Sequence, residues 1–432
     1  MSSGEHERTD VPTLEPAPKI RDTFLDFSPP CIGEEEIAAV VATLRSAWIT
    51  TGPAVRQFEQ AFAVFLGADA AIAVSSATAA LHVALVTAGV GPGDVVITTP
   101  MTFCSSVHVI EHVGARPLLV DVDPDTLNID PANVERAIAE HDWTAGAKAR
   151  ESRGRLRAIL PVHLYGHPCD MDALDALAGD RELAIIEDAA HALPAAYKGR
   201  TIGNGSGAGA PQRFTCFSFY ATKNLTTGEG GMLITPPGVE SEARLWTLHG
   251  MSRDAYKRYT AEGSWFYEVV RPGFKYNMTD LQAAIGLEQL KKLRTHQMRR
   301  RQIVERYNEA FAAYEELRIP AEREDVQHAW HVYALRLNAG RFRGSGTDQS
   351  AEVRGQFIER LKRRNIGASV HFIPIHLHPY YRDKYGYRPD AFPVALREYQ
   401  RSVSLPLHPG MTDSDVDDVI AAVRDIVVSW GR

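Results

Sequence analysis

The chain has 432 residues, of which 44% are hydrophobic and 23% charged, with a formal net charge of -7; that length supports a large domain plus a smaller one, each with its own core. No basic stripe runs along it, which excludes nucleic acid as an expected partner, and no apolar run is long enough to cross a bilayer or to serve as a signal peptide. Cys31, Cys104, Cys169 and Cys216 are scattered and form no CxxC pair, so the expectation is a cytoplasmic protein with reduced thiols, no disulfide framework and no metal site.

Residues 1–20 are polar and Pro-rich and are expected to be mobile. From Gly33 the run EEEIAAVVATLRSAW has helical spacing and an acidic start, which suits the positive end of a helix dipole. A second helix over Val55 to Phe65 leads to the strand-like Ala71 to Val74, and SSATAALHVALVTAGV reads as a loop opening a helix. Strand-sized and helical runs then alternate: VVITT, a helix near Ser105 to His112, PLLVDVD, and a helix over Pro131 to Glu140. After a polar, basic surface loop at 141–155 come RAILPVHLYG, LAIIEDAAHAL, FTCFSFYAT and GMLIT, short apolar runs bounded by turn signals, with a helical MDALDALAG between the first two. That pattern predicts an α/β fold in which a mostly parallel central sheet is flanked by helices. Long helical stretches from Asn277 to Tyr314 lead into a smaller α+β domain with strands at HAWHVYALRL and SVHF, a helix near Val353 to Arg364 and a final helix from Thr412. The expected division is a large domain over 21–295 and a small one over 296–432.

Lys223 follows the apolar strand FTCFSF and precedes a glycine-rich turn, the place where open α/β sheets put their ligands. Its amine could condense with a carbonyl. One strand earlier, LAIIEDAAHAL ends on Glu187 and Asp188; a strand-end carboxylate can keep a pyridinium nitrogen protonated, and with a Schiff-base lysine it makes the pair that pyridoxal phosphate requires. An Asp capping the next helix is the plainer alternative for Asp188. Ser75 to Ala80, SSATAA, offers small residues, a hydroxyl on Thr78 and backbone N–H groups at a helix start, where a phosphate can bind. Phe103 ends the VVITT region and can stack on a flat ring or pack in the core. His163, His371 and His376 are candidate substrate contacts or buried structural histidines. GNGSGAGA from Gly203 fits GxGxxA but precedes a strand, which disfavours a nicotinamide site.

Taken in order, WITTGP at Trp48, VSSATAALH at Val74, PMTF at Pro100, DVDPDTLNID at Asp121, PVHLYGHPCDMDAL at Pro161, EDAAHA at Glu187, SFYATKNLTTGEGG at Ser218, KYNMTDLQAAIG at Lys275 and PIHLHPYY at Pro374 span nearly the whole chain. This series resembles the DegT/DnrJ/EryC1/StrS sugar aminotransferases, pyridoxal phosphate enzymes of fold type I in the aspartate aminotransferase superfamily. The resemblance implies that Lys223 carries the cofactor as a Schiff base and that Asp188 pairs with its ring nitrogen. It further implies that Ser218, Thr78 and the backbone at Ala77 and Ala79 hold the phosphate, and that Phe103 stacks on the ring. Asn277 is similar to an asparagine that reaches the phosphate from the neighbouring subunit, so a homodimer is expected. His191 stands where many relatives have a glutamine near the phenolic oxygen. The lysine sets the chain apart from related dehydratases that carry histidine there, and YNMTDLQAAIG resembles enzymes that aminate C4 of a nucleotide-linked keto sugar. The implied reaction passes the amino group of L-glutamate, through pyridoxamine phosphate, to a nucleotide-linked 4-keto sugar. A C3 or aminocyclitol aminotransferase using glutamine, or a non-catalytic regulatory protein that binds the cofactor, are the other readings.

Overall fold

Short apolar strands and amphipathic helices alternate through the first two thirds of the chain, and each strand is too apolar on both faces to be left uncovered. The computed structural model describes residues 21–140, 154–204, 211–251 and 266–431; the expected mobile start, most of the basic loop at 141–155 and much of the Gly-rich loop lie outside these residues. In chain order they form α1 (Glu34–Arg45), α2 (Pro53–Leu66), β1 (Ala71–Val74), α3 (Ala77–Thr87), β2 (Asp94–Thr98), α4 (Ser105–His112), β3 (Arg116–Leu119) and α5 (Pro131–Glu140). Next come β4 (Arg155–Ile159), α6 (Met171–Gly179), β5 (Ala184–Asp188), a hairpin of β6 (Ala196–Tyr197) and β7 (Arg200–Thr201), β8 (Arg213–Ser218), β9 (Gly231–Ile234) and α7 (Glu240–Thr247). The remainder is α8 (Asp280–Phe311), β10 (Leu317–Arg318), β11 (Val326–Gln327), β12 (Tyr333–Leu337), α9 (Ser350–Arg363), α10 (Pro379–Tyr385), α11 (Pro393–Arg401), β13 (Ser402–Leu405) and α12 (Asp413–Trp430).

Seven strands share one sheet in the order β1-β9-β8-β5-β4-β2-β3. Its neighbours run parallel except β9, which is antiparallel to both β1 and β8. Successive residues alternate between the faces: Ile185 and Phe217 belong to the core shared with α2 and α6, whereas Ile186, Phe214 and Cys216 belong to the core shared with α3 and α4. On the first face Phe58, Phe62, Phe217 and Phe219 pack with ring centroids 5.4 to 6.0 Å apart. Gly286 lets α8 approach this cluster, because a Cβ there would lie 2.6 Å from the Phe58 ring. Asp280, at the start of α8, accepts the N–H groups of Gly52, Ala54 and Val55 and so caps α2.

The smaller sheet is antiparallel, β10-β12-β13, and packs against α9 and α12 around Tyr333, Leu335, Phe357 and Val423. Thr412 opens α12 with a capping box to Asp415. The expected division at 295/296 falls inside the single 32-residue helix α8. SVHF is not the strand that its sequence suggests: Ser369 bridges Ser404, but the sheet is completed by β13, and the chain beyond Ser369 turns toward the end of the large sheet. Among the described residues, no helix is long and apolar enough to cross a membrane.

Candidate active site

The carboxyl ends of β5 and β8 and the start of α3 surround a cavity of about 400 Å³. The register pairs Asp188 with Cys216, so strand alternation points Asp188 and Ser218 to the α3 side, into the cavity, and Glu187 to the other. Beyond Ser218 the chain turns, and Lys223 lines the same cavity. Its loop is clamped through Asn224, whose amide donates to the carbonyls of Leu193 and Ala329 at 2.9 and 2.8 Å. Burial pulls the Lys223 amine down to about 8, with Asp188 pulling partly the other way. Roughly a tenth of this amine is therefore uncharged, and nucleophilic, at pH 7, far more than for an ordinary lysine.

The turn before α3 leaves donors that could hold an anion. Ser76 caps the helix by accepting the Ala79 N–H at 3.1 Å, a contact that contributes about 1 kcal/mol. The N–H groups of Ala77 and Thr78 have no acceptor among the described residues, and they sit at the positive end of the helix. Ser218 accepts the Tyr220 N–H at 3.3 Å, which leaves its own proton free to donate. Gly231 makes this turn possible, since a Cβ there would lie 2.5 Å from the Ser76 carbonyl carbon. These groups fit a phosphate monoester, and Phe103, exposed at the cavity wall, offers a flat face 5.8 Å from Phe372.

Three histidines line the cavity. His191 Nδ1 faces the Tyr165 N–H at 3.2 Å; a backbone N–H can only donate, so Nδ1 accepts and the ring proton lies on Nε2. Burial, then Lys223 and His371, hold the His191 imidazolium well below its ordinary range. His331 bonds the Asn224 side-chain oxygen at 3.2 Å and lies 4.4 Å from the His191 ring. His371 contacts Ser404 Oγ at 2.8 Å, and burial with Lys223 pulls it to about 4.

Thus Ala77, Thr78, Phe103, Asp188, His191, Ser218, Lys223 and His371 meet in one cavity. The others lie elsewhere. Ala79 spends its N–H on the helix cap. His163 is fully buried below the sheet end, accepting the Cys169 N–H and donating to Glu187 at 2.8 Å. His376 is buried away from the cavity and donates to the Pro389 carbonyl at 3.0 Å. Asn277 bonds Thr51 at 2.7 Å and receives Lys275, outside its own chain's cavity. Sequence reasoning missed His331, Phe372 and Ser106. His331 stood within a recognised strand run, but nothing local marked its side as the one facing the lysine.

An amine poised to condense, a carboxylate across the cavity and an anion cradle at a helix start are what a transaminase built around pyridoxal phosphate needs on this fold. Residues 30–424 match the DegT/DnrJ/EryC1/StrS aminotransferase family, and the chain belongs to that family. SpsC, a spore coat polysaccharide biosynthesis protein of Bacillus subtilis, is 49% identical over 409 residues, covering 94% of this chain and 98% of SpsC. Among solved structures, Spr1654 of Streptococcus pneumoniae, a candidate sugar aminotransferase in its PMP form, is 34% identical with a TM-score of 0.82, covering 94% of this chain and 99% of that one. It is also solved in a PLP form. DesV of S. venezuelae, in complex with a ketimine intermediate, is 32% identical with a TM-score of 0.76, covering 90% and 94%. The fold is that of the fold type I aminotransferases, with pyridoxal phosphate as the family's cofactor.

Proposed function

We propose that this sugar aminotransferase moves the amino group of L-glutamate to the C4 keto carbon of a nucleotide-linked keto sugar, in the cytoplasm. The observation that carries the amine chemistry is the shared cavity of Lys223, Asp188 and the open N-terminus of α3. The regiochemistry is supported by YNMTDLQAAIG, the segment similar to that of C4 enzymes.

Bound pyridoxal phosphate supplies an electron sink for charge developing on the substrate carbon. The chain's residues do the rest. Ala77, Thr78 and Ser218 bind the phosphate, and Phe103 covers one face of the ring. Asp188 keeps a proton on the ring nitrogen. His191, neutral and protonated at Nε2, can donate to the phenolic oxygen without bringing a second cation beside Lys223. Lys223 Nζ holds the cofactor at rest and, when freed, carries a proton between the substrate carbon and the cofactor's C4′ position in both half-reactions. Asn277 of one chain would complete the phosphate site of a second copy, which makes a homodimer the working unit.

The test is a two-stage assay. L-glutamate should convert the bound cofactor to its amine form and release 2-oxoglutarate; dTDP-, UDP- and GDP-linked 4-keto sugars should then restore the starting spectrum. NMR of the product should place nitrogen on C4. Nitrogen on C3 would replace the regiochemical reading, and no recovery with any keto sugar would remove the sugar acceptor altogether.

A further inference from the structure

Asp188 is gripped from two sides. Its Oδ1 accepts the Ala190 N–H at 3.1 Å, and its Oδ2 accepts Ser106 Oγ at 2.6 Å. Ser106 is fully buried in the first turn of α4, three residues after Phe103, and its hydroxyl lies 2.7 Å from that of buried Thr102. A serine hydroxyl has one proton to give. Two acceptors compete for it, the Asp188 carboxylate at 2.6 Å and the Phe103 carbonyl at 3.3 Å. The shorter, charge-assisted contact takes the proton, so the remaining hydroxyl, Thr102, must be the donor to Ser106. The hydrogen bonds therefore run in one direction, from Thr102 through Ser106 to the carboxylate, and each donor strengthens the next. The same turn carries Phe103, so the residue beside the cofactor's face and the residue at its ring nitrogen are held by one relay.

We propose that Ser106 and Thr102 are positioning residues for the reaction: their relay fixes the plane of the Asp188 carboxylate so that it keeps the proton on the cofactor's ring nitrogen. The inference rests on the reading of the cavity as a pyridoxal phosphate site. It predicts an electronic effect, whereas hydroxyls that merely secured the first turn of α4 would change stability and leave the bound cofactor's protonation alone.

The experiment uses holoenzyme loaded with cofactor labelled with ¹⁵N at the ring nitrogen. In Ser106→Ala the nitrogen resonance should move toward the unprotonated position, and kcat should fall about tenfold while KM for the amino donor stays within about twofold. Ser106→Thr should restore the resonance. Thr102→Val, which keeps the side-chain volume, should shift it the same way with a loss of about threefold, and should add nothing in the Ser106→Ala background. An unmoved resonance in folded, loaded Ser106→Ala overturns the proposal. If that variant does not fold, an unmoved resonance in Thr102→Val does so. A Thr102→Val loss undiminished by Ser106→Ala overturns the relay. Failure of the wild-type protein to take up the cofactor would remove the site's reading as well, whereas uptake with silent variants removes the relay alone.

Discussion

Glu187 and Asp188 follow one another at the end of β5, and strand alternation sends them to opposite faces of the sheet. On the α6 side Glu187 is enclosed by His163 at 2.8 Å, Arg213 at 3.0 Å and Thr215 at 3.0 Å. Burial alone would push its carboxyl up, but Arg213 and His163 outweigh burial and hold it at about 2. On the α3 side Asp188 has one donor on each oxygen and also borders the cavity. Both residues are buried acids at a strand end, so burial does not tell them apart. What separates them is whether the surrounding donors belong to the fold alone or leave one direction open to a ligand. The enclosed carboxylate anchors β5 to β8 and to the segment that follows β4, and the open one is available for chemistry.

The strongest way to break this comparison acts on the open side. Under the proposed function Lys223→Ala removes both the amine that would carry the cofactor and the group that would move the proton, so kcat should fall by at least about 1,000-fold. The fold should survive, because the loop is clamped by Asn224 and not by the lysine side chain. Circular dichroism and single-turnover kinetics check both halves. Turnover within tenfold of wild type would sink the assignment of Lys223.

A smaller effect of the opposite kind is expected on the enclosed side. Glu187→Gln leaves Arg213 and His163 facing a neutral amide, and breaking a buried pair of this sort costs about 3 kcal/mol. Urea denaturation should show the loss, with kcat for the loaded enzyme changed by less than about threefold. If Glu187→Gln behaved like Lys223→Ala, losing activity while keeping stability, the division between the two faces would be wrong.

How much of this could be read in the chain depends on distance along it. The alternation of strands and helices announced the main sheet, and the residues at strand ends, Asp188, Ser218 and Lys223, followed from where such sheets place ligands. The capped start of α12 at Thr412 is local and was equally legible. His163 was not, because it lies past the end of β4, beside a turn where Tyr165 has a φ of 59°, and strand parity no longer says which way a side chain points. The partners that define the site are farther still. Ser106 and Asp188 are separated by 82 positions, and Asn224 and His331 by 107. No periodicity links residues that far apart, so only the fold brings them together. SVHF was misread for a related reason: its alternation suits a strand, but only Ser369 bridges β13, at Ser404, and the chain then leaves that edge so that His371 and Phe372 line the cavity.

The smallest effect separates the two kinds of buried group by pH. Burial pulls His82, His371 and His408 down to about 4 from an ordinary 6.5. Between those values the unfolded chain binds protons at these histidines that the folded chain does not, so stability falls as pH drops from 6.5 toward 4 and this contribution levels off below. Glu187 works in a lower window: its folded value of about 2 lies under the ordinary 4.5, so its contribution is complete above 4.5 and is lost as pH falls toward 2. Thermal melts across pH should therefore show two successive declines. His408→Gln, outside the cavity, should make the first shallower and leave the second, whereas Glu187→Gln should make the second shallower and leave the first. A first decline that His408→Gln leaves as steep as before would show that His408 is not among the groups that set it.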